Sequence, residues 1–267
     1  MRSLTRAVKR TPRTGEPIPV PFQSWRSDGI DIRRSDLTMI AGQPSSGKST
    51  IALTVAVRAV VPTLYFSADS SLATQATRVL SMTTGTPLAT VKQYAQQAGE
   101  AFWQEPRVVD ALAAVAHIHW NFHGQPTFKD IDEELAAFET REGAPPELIV
   151  VDNATDIAFG DGDEYGSLRE LMRQLKLTAR DTGAAVIALH HMTESIQGDP
   201  CPPMRAVHGK VSQVPAVILS IGQARDGFLP ICPVKNRDGR SDPSGSTPVW
   251  LQYRPDLMSV TDMQEAA

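Results

Sequence analysis

The segment at residues 42–50, Gly-Gln-Pro-Ser-Ser-Gly-Lys-Ser-Thr, has the residue types and spacing needed to hold a nucleotide's phosphates. Its glycines let the backbone approach an anion closely, and N–H groups at a helix N-terminus favour negative charge. Lys48 supplies a cation for the β- and γ-phosphates, and the Ser49 hydroxyl is a ligand for Mg²⁺. A glycine-rich turn without a ligand is the alternative. The predicted phosphate contacts are Gly42, Ser45, Ser46, Gly47, Lys48, Ser49 and Thr50.

A second candidate is the run Leu148-Ile149-Val150-Val151-Asp152, four apolar residues that end in a carboxylate. Such a run is typical of a buried strand, and a carboxylate at the end of a central parallel strand lies beside a phosphate loop. We therefore expect Asp152 to hold Mg²⁺ together with Ser49. The alternative is a purely structural role for Asp152, in which the strand is followed by an Asx turn.

Hydrolysis also needs a group that orients or deprotonates water, and the residue after Asp152 is Asn153. Asp69 follows another predicted strand and is expected at the same edge of the sheet as the phosphate loop. Asp69 is therefore the candidate general base. Capping of the following helix is its structural alternative.

Elements that position these residues are indicated by the alternation of short apolar runs with amphipathic helical stretches. Strands are predicted near residues 37–41, 63–67, 117–122, 148–152 and 185–190, and a helix over residues 165–182. This alternation predicts an α/β fold with a mostly parallel sheet flanked by helices. Runs at 216–221, 228–234 and 249–253 are separated by turn signals, so they predict an antiparallel C-terminal extension.

Composition limits the class of protein. We expect a basic, proline-rich arm at residues 1–21, one folded domain at 22–260 and a frayed tail at 261–267. The net charge is −4, but Arg2, Arg6, Lys9, Arg10 and Arg13 lie in the arm, which leaves an acidic body. The arm is interpreted as a phosphate contact, a disordered tail or a subunit-linking segment.

The sequence has no run of 18 apolar residues, and its two cysteines, Cys201 and Cys232, lack zinc-site spacing. It therefore predicts a protein of the cytoplasm, or of the host cytoplasm if the chain is encoded by a phage, without a membrane partner.

Together these motifs resemble the RecA/DnaB superfamily of P-loop ATPases, and specifically the ATPase domain of DnaB-like replicative helicases of the small phage-encoded type. The resemblance spans residues 22–260 and implies ATP and Mg²⁺ as cofactors. In that family a Ser-x-Glu element activates water. Here the matching run is Phe66-Ser67-Ala68-Asp69, where aspartate replaces glutamate and has a shorter reach.

The resemblance assigns roles to three further residues. His191, at the end of the run 186–191, matches a position that senses the γ-phosphate, although a metal site or a polar strand end is also compatible with two adjacent histidines. Arg237 and Lys235 match a Lys-x-Arg turn that reaches the γ-phosphate of a neighbouring subunit, and a solvated turn is the alternative. A cation supplied in trans makes hydrolysis depend on assembly.

Two loops are relevant to the predicted interaction with DNA. The segment between His191 and Val214 corresponds to a DNA-contacting loop, with Arg205 and Lys210 as phosphate contacts. The acids of the loop after Asp152 favour solvation, or a metal-dependent nuclease site formed with the two histidines. Those acids are Asp161, Asp163 and Glu164.

The function predicted from the resemblance is an ATP-dependent DNA helicase or translocase. We expect it to act as a hexameric ring on single-stranded or forked DNA, and a loader or primase is a possible partner. The alternatives are a recombinase-like DNA-binding ATPase, a structure-specific nuclease on the same scaffold and, without an identifiable acceptor pocket, a small-molecule kinase.

Overall fold

The computed structural model describes residues 13–157, 164–192 and 200–263, and the side chains of residues 164–167 and 208–210 lie outside this description. It contains one nine-stranded sheet in the order β3-β2-β4-β5-β1-β6-β7-β8-β9. The strands are β1 (Leu37–Gly42), β2 (Thr63–Ser67), β3 (Ile118–Asn121), β4 (Leu148–Asp152), β5 (Ala185–His191), β6 (Val217–Ile221), β7 (Phe228–Asn236), β8 (Val249–Arg254) and β9 (Ser259–Asp262).

The strands from β3 to β6 in this order pair in parallel, whereas β7, β8 and β9 pair antiparallel. The predicted α/β class, with an antiparallel extension of the same sheet, is confirmed. Central strands of a parallel sheet are covered on both faces, and this explains why β1, β2 and β4 consist of buried residues throughout.

Helices cover both faces of the sheet. They are α1 (Gln23–Ser27), α2 (Lys48–Ala59), α3 (Leu72–Thr84), α4 (Leu88–Ala98), α5 (Pro106–Ala113), α6 (Phe128–Glu142) and α7 (Glu164–Thr182). Helices α1 and α2 pack in one core with the side chain of Tyr65 from β2. Helices α6 and α7 pack in a second core on the other face, with Leu64 and Phe66.

The ends of the folded body differ from the predicted boundaries. Ile18 and Val20, expected in the arm, are buried in the first core, and Pro17 pairs with Arg33. Thr261 and Asp262, expected in the tail, belong to β9. Apolar burial and backbone pairing with distant residues therefore extend the body beyond 22–260, while residues 1–12 and 264–267 lie outside the described part.

The N-terminal segment is fastened at the edge of the sheet where the parallel strands begin. Arg34 is 3% exposed and pairs with Glu147, the residue before β4, and it also donates to the Pro17 carbonyl. Arg13 donates to the same carboxylate at 3.0 Å. Because Arg34 is buried, removal of the Glu147 charge leaves an uncompensated guanidinium.

We expect Glu147→Gln to lower the free energy of unfolding by about 2 kcal/mol, because Arg34 loses its charged partner inside the protein. Glu133→Gln is the matched control. Its partner Lys129 is 83% exposed, so the change should stay within about 0.5 kcal/mol. Urea unfolding of both variants measures the difference, and equal losses would contradict this account.

Candidate nucleotide-binding site

The phosphate loop lies between β1 and α2, at the edge where the parallel strands end. Gly47 has φ +94°, a conformation that side chains rarely adopt. A Cβ at Gly42 would lie 2.7 Å from the Ser46 Oγ and 2.8 Å from the Ile221 carbonyl oxygen. Both glycines are therefore required by local geometry, and the helix that follows begins at Lys48.

Lys48 is held inside this loop. Its Nζ donates to the carbonyl oxygens of Gly42 at 3.1 Å and Gln43 at 2.7 Å, and it lies 3.3 Å from the His191 Nδ1. Burial lowers the pKa of Lys48 to about 8, against the opposing effect of the charges of Asp152 and Asp69. The ammonium is curled back onto the backbone and remains mostly charged at pH 7.

Asp152 is 2% exposed at the end of β4. Its Oδ1 accepts a hydrogen bond from the Ser49 Oγ at 3.0 Å, and its Oδ2 accepts one from the Tyr65 hydroxyl at 2.9 Å. Burial, followed by the charge of Asp69, raises the pKa of Asp152 to about 6. A carboxylate and a hydroxyl oxygen within hydrogen-bond distance form the kind of hard donor set that Mg²⁺ prefers.

Asp69 is exposed at the rim of the same pocket and accepts a hydrogen bond from the Ser70 Oγ at 2.9 Å. Its alternative role as a helix cap does not hold, because Ser71 is the residue that caps α3 through the Thr74 N–H. Arg78, which sequence reasoning missed, also lines the pocket and donates to the Ser70 Oγ at 3.2 Å.

The pocket has a volume of about 460 Å³. Its further lining residues include Asn153, which directly follows Asp152 and has a buried Oδ1 without a hydrogen-bond partner among the described residues. The pocket thus brings Lys48, Asp69, Asp152 and His191 together, as the motifs predict. The predicted loop residues Ser45, Ser46, Gly47, Ser49 and Thr50 line it too.

Two more lining residues, Tyr253 and Met258, come from the end of β8 and the turn before β9. A Cβ on Gly47 would lie 3.5 Å from the Tyr253 Cζ, so the ring stands directly over the loop. No local pattern in the sequence indicates this contact, because it depends on the pairing of β8 with β7 and of β9 with β8. The hydroxyl end of the ring lies nearest to the loop, and Tyr253 is an aromatic residue in the lining of the pocket.

Lys235 and Arg237 lie at the opposite edge of the sheet. Val217 at the start of β6 pairs with Thr38 at the start of β1 and with Asn236 at the end of β7. The Lys235 Nζ donates to the carbonyl oxygens of Ser212 at 2.6 Å and Gln213 at 3.1 Å, whereas Arg237 is exposed. One chain therefore does not bring these cations to its own pocket.

Of the predicted DNA contacts, Arg205 is exposed in a short helix, Met204–Ala206. Lys210 lies in the next short helix, and its side chain is outside the described residues. Asp161, Asp163 and the side chain of Glu164 also lie outside the described residues. Among the residues described, no cluster of three or more histidine, cysteine or acidic side chains is arranged to hold a metal, and no helix has the length and hydropathy of a membrane span.

Comparison with known proteins gives consistent results. A family model described as an AAA domain matches residues 13–195. The Gene 65 protein of Mycobacterium phage L5 is 34% identical over 256 residues, which cover 93% of this chain and 94% of the relative. The Gene 65 protein of Mycobacterium phage D29 is 35% identical over 234 residues, covering 85% and 99%.

Solved structures share the fold at low identity. One, described as an ATPase domain, superposes with a TM-score of 0.79 at 15% identity, covering 98% of this chain and 96% of that one. Another, a DnaB-like replicative helicase described together with its interactions with primase, gives 0.77 at 15% identity and covers 98% and 65%. The chain therefore belongs to the AAA domain family, with the fold of a DnaB-like, RecA-type P-loop ATPase.

Proposed function

We propose that the chain is an ATP-driven DNA helicase or translocase that works as a ring, in which each hydrolysis site is completed by a second copy. The observation that carries this proposal is the placement of the motifs. Lys48, Asp69, Asp152 and His191 converge in one pocket, whereas Arg237 lies exposed at the opposite edge of the sheet. An arginine so placed serves phosphoryl transfer only in trans.

Within the pocket, Lys48 leaves its carbonyl partners to contact the β- and γ-phosphates, and the loop N–H groups surround them. Ser49 and Asp152 would hold Mg²⁺, which when bound neutralises phosphate charge. Tyr65 fixes the second carboxylate oxygen of Asp152, so the first stays directed toward Ser49. Tyr253 provides a surface against which the base packs.

Asp69 is the residue we assign to water activation. Asp152 is buried and committed to Ser49 and Tyr65, whereas the Asp69 carboxylate is exposed at the rim, where water and a γ-phosphate meet. Its side chain is one methylene shorter than glutamate. Arg78 lies close enough to stabilise the charge on this carboxylate or on a phosphate oxygen.

His191 links the pocket to DNA in this proposal. It contacts Lys48 at the end of β5, and the next residue, Met192, donates its N–H to the Gly42 carbonyl at 3.0 Å. Arg205 and Lys210 follow His191 by 14 and 19 residues in the sequence. In this proposal, a change at the γ-phosphate is passed through His191 to the predicted DNA contacts, which bind the backbone without reading sequence.

We expect Lys48→Ala and Arg237→Ala to abolish ATP-dependent separation of a forked DNA substrate with Mg²⁺. Lys48→Ala removes the cation that contacts the phosphates in its own pocket. Arg237→Ala should lower hydrolysis about a thousandfold, because it removes the cation that each copy supplies to the pocket of its neighbour. Arg141→Ala, an exposed arginine of α6, is the control.

The products of that assay also decide between functions. DNA cleavage that persists in the Lys48→Ala variant would contradict the proposed helicase or translocase function and indicate a nuclease. ATP-dependent strand binding or annealing without separation would favour a recombinase-like ATPase. Strand separation that occurs only after another protein is added would indicate that a loader or primase is required.

Asp69→Asn should lower kcat for ATP by at least about a hundredfold while the Kd for nucleotide changes little, because the carboxylate acts on water and not on the bound phosphates. Asp69→Glu should retain activity, and Asp132→Asn, at an exposed position of α6, serves as the control. Steady-state kinetics with a nucleotide-binding titration measures both quantities. An Asn variant with parental kcat would assign the base elsewhere.

Tyr253→Ala should raise the Kd for ATP by about threefold to tenfold, the value of one aromatic packing contact. Tyr253→Phe keeps the ring and should bind like the parent. Tyr94→Ala removes a tyrosine that is 46% exposed and outside the pocket, so it should leave the Kd unchanged. Equal affinities for all three variants in calorimetry would contradict the base-packing role.

A further inference from the structure

The turn that carries Asp69 joins β2 to α3 and is bonded at both ends. We call residues 68–71 the Asp69 turn. At its start, the N–H of Ala68 donates to the carbonyl oxygen of Asp152 at 3.0 Å. At its end, the side chain of Ser71 caps α3. The turn is therefore attached both to the residue that is expected to hold Mg²⁺ and to the helix that follows.

Two side chains of α3 hold the middle of the Asp69 turn. Gln75 and Arg78 are three residues apart, so they lie on one face of the helix. The Gln75 Nε2 donates to the Ser67 Oγ at 2.9 Å, and this hydroxyl donates to the Ser70 carbonyl oxygen at 3.2 Å. The Arg78 Nη1 donates to the Ser70 Oγ at 3.2 Å. The backbone and the side chain of Ser70 are therefore each bonded toward α3.

The hydroxyl of Ser70 links the cation of Arg78 to the carboxylate of Asp69. A hydroxyl has one proton to donate and two lone pairs that accept. Because the Ser70 Oγ accepts from Arg78, its own proton is free to point at Asp69, and this Oγ donates to the Asp69 Oδ1 at 2.9 Å. Hydrogen bonds that follow one another in this way polarise and strengthen each other. The guanidinium therefore acts on the carboxylate through Ser70.

This link compensates for two weaknesses of Asp69 as a general base. The side chain is exposed, so without a partner it would exchange between rotamers. It is also shorter than glutamate, so fewer of its orientations reach the water. A base must lie within about 3 Å of the group whose proton it removes, and a displacement of about 1 Å can cost about a hundredfold in rate. The bond from Ser70 holds Oδ1 and leaves Oδ2 for the water.

We propose that Ser70 and Arg78 are positioning residues for Asp69. Arg78 orients the Ser70 hydroxyl, and this hydroxyl holds the Asp69 Oδ1, so that the Oδ2 faces the attacking water. The water oxygen bonds to the γ-phosphorus, its proton goes to the Oδ2, and the bond from the γ-phosphorus to the bridging oxygen breaks as ADP leaves. This inference rests on the proposed function, in which Asp69 is the general base.

A direct contact between Arg78 and a phosphate is the alternative role for this cation. The structure favours the positioning role, because the Arg78 Nη1 is engaged by Ser70. In the proposed function the phosphates are already bound by Lys48 and by the N–H groups of the phosphate loop. The two roles differ in what they change. A lost phosphate contact weakens nucleotide binding, whereas a displaced base lowers kcat and leaves binding intact.

The first test compares Ser70→Ala, which removes the hydroxyl, with Ser70→Thr, which keeps it. With Mg²⁺, Ser70→Ala should lower kcat for ATP about tenfold or more, and the Kd for a non-hydrolysable ATP analogue should change by less than about twofold. Ser70→Thr should recover at least about half of the parental kcat. Ser27→Ala removes an exposed hydroxyl of α1 and should match the parent. Parental kcat in Ser70→Ala would overturn the proposal.

The second test removes the cation. Arg78→Met should lower kcat to an extent similar to Ser70→Ala, again with little change in the Kd. Arg78→Lys keeps a charged donor and should lower kcat less, and it carries the comparison if thermal unfolding shows that Arg78→Met does not fold. Arg141→Met, at an exposed position of α6, is the control. A rise in the Kd of more than about tenfold in Arg78→Met would assign the phosphate contact and overturn the positioning role.

The same changes in an Asp69→Asn background decide whether both residues act through Asp69. If they do, Ser70→Ala and Arg78→Met should lower kcat no further once the carboxylate is gone, because the three groups act as a unit. Equal losses of kcat in the parental and the Asp69→Asn backgrounds would show effects that do not depend on the carboxylate, and would overturn the inference.

These results also separate the inference from the proposed function. A loss of about a hundredfold in Asp69→Asn, together with parental kcat in Ser70→Ala and Arg78→Met, leaves the base in place and removes the positioning role. Parental kcat in Asp69→Asn overturns the base assignment of the proposed function, and the positioning role falls with it.

Discussion

The burial of opposite charges beside one loop is the constraint on which the rest of the structure depends. Lys48 and Asp152 both lie in a pocket that penalises charge, and burial moves the pKa of each toward neutrality, to about 8 and about 6. In the proposed function, the phosphates of a nucleotide and Mg²⁺ would reverse both pKa shifts at once. The sheet serves this pairing, because β1 and β4 end at the same edge and deliver the loop and the carboxylate to one point.

The pocket residues and the Lys235–Arg237 turn lie at opposite edges of one sheet, and this explains why we propose that hydrolysis depends on assembly. The pocket holds the groups that we propose to bind the nucleotide and to activate water, while Arg237 and Lys235 lie at the edge where β1 begins, away from that pocket. In the proposed ring, each copy supplies its Arg237 to one neighbour and receives the Arg237 of the other neighbour at its own pocket. In the proposed ring, hydrolysis would therefore depend on contact between neighbouring copies.

Much of this arrangement could be predicted from the sequence, because the decisive signals are local. The strands at residues 63–67 and 148–152 have the predicted bounds, and each ends beside the pocket. What escaped prediction depends on distant pairing. Tyr253 and Met258 reach the phosphate loop through the pairing of β8 with β7 and of β9 with β8. Ile18 joins the core where its N–H donates to the Ile32 carbonyl and Arg34 donates to the Pro17 carbonyl. Arg78 was missed because a single arginine on a helix carries no motif of its own.

The most direct test of the central claim is an electron cryomicroscopy structure of the assembled chain with Mg²⁺ and a non-hydrolysable ATP analogue. Our account predicts that the phosphates lie on Lys48 of one copy and that Arg237 of the next copy lies within about 4 Å of the γ-phosphate, the distance of a charge-assisted contact. Neighbouring copies that meet through other surfaces, with Arg237 in solvent at every filled site, would contradict it.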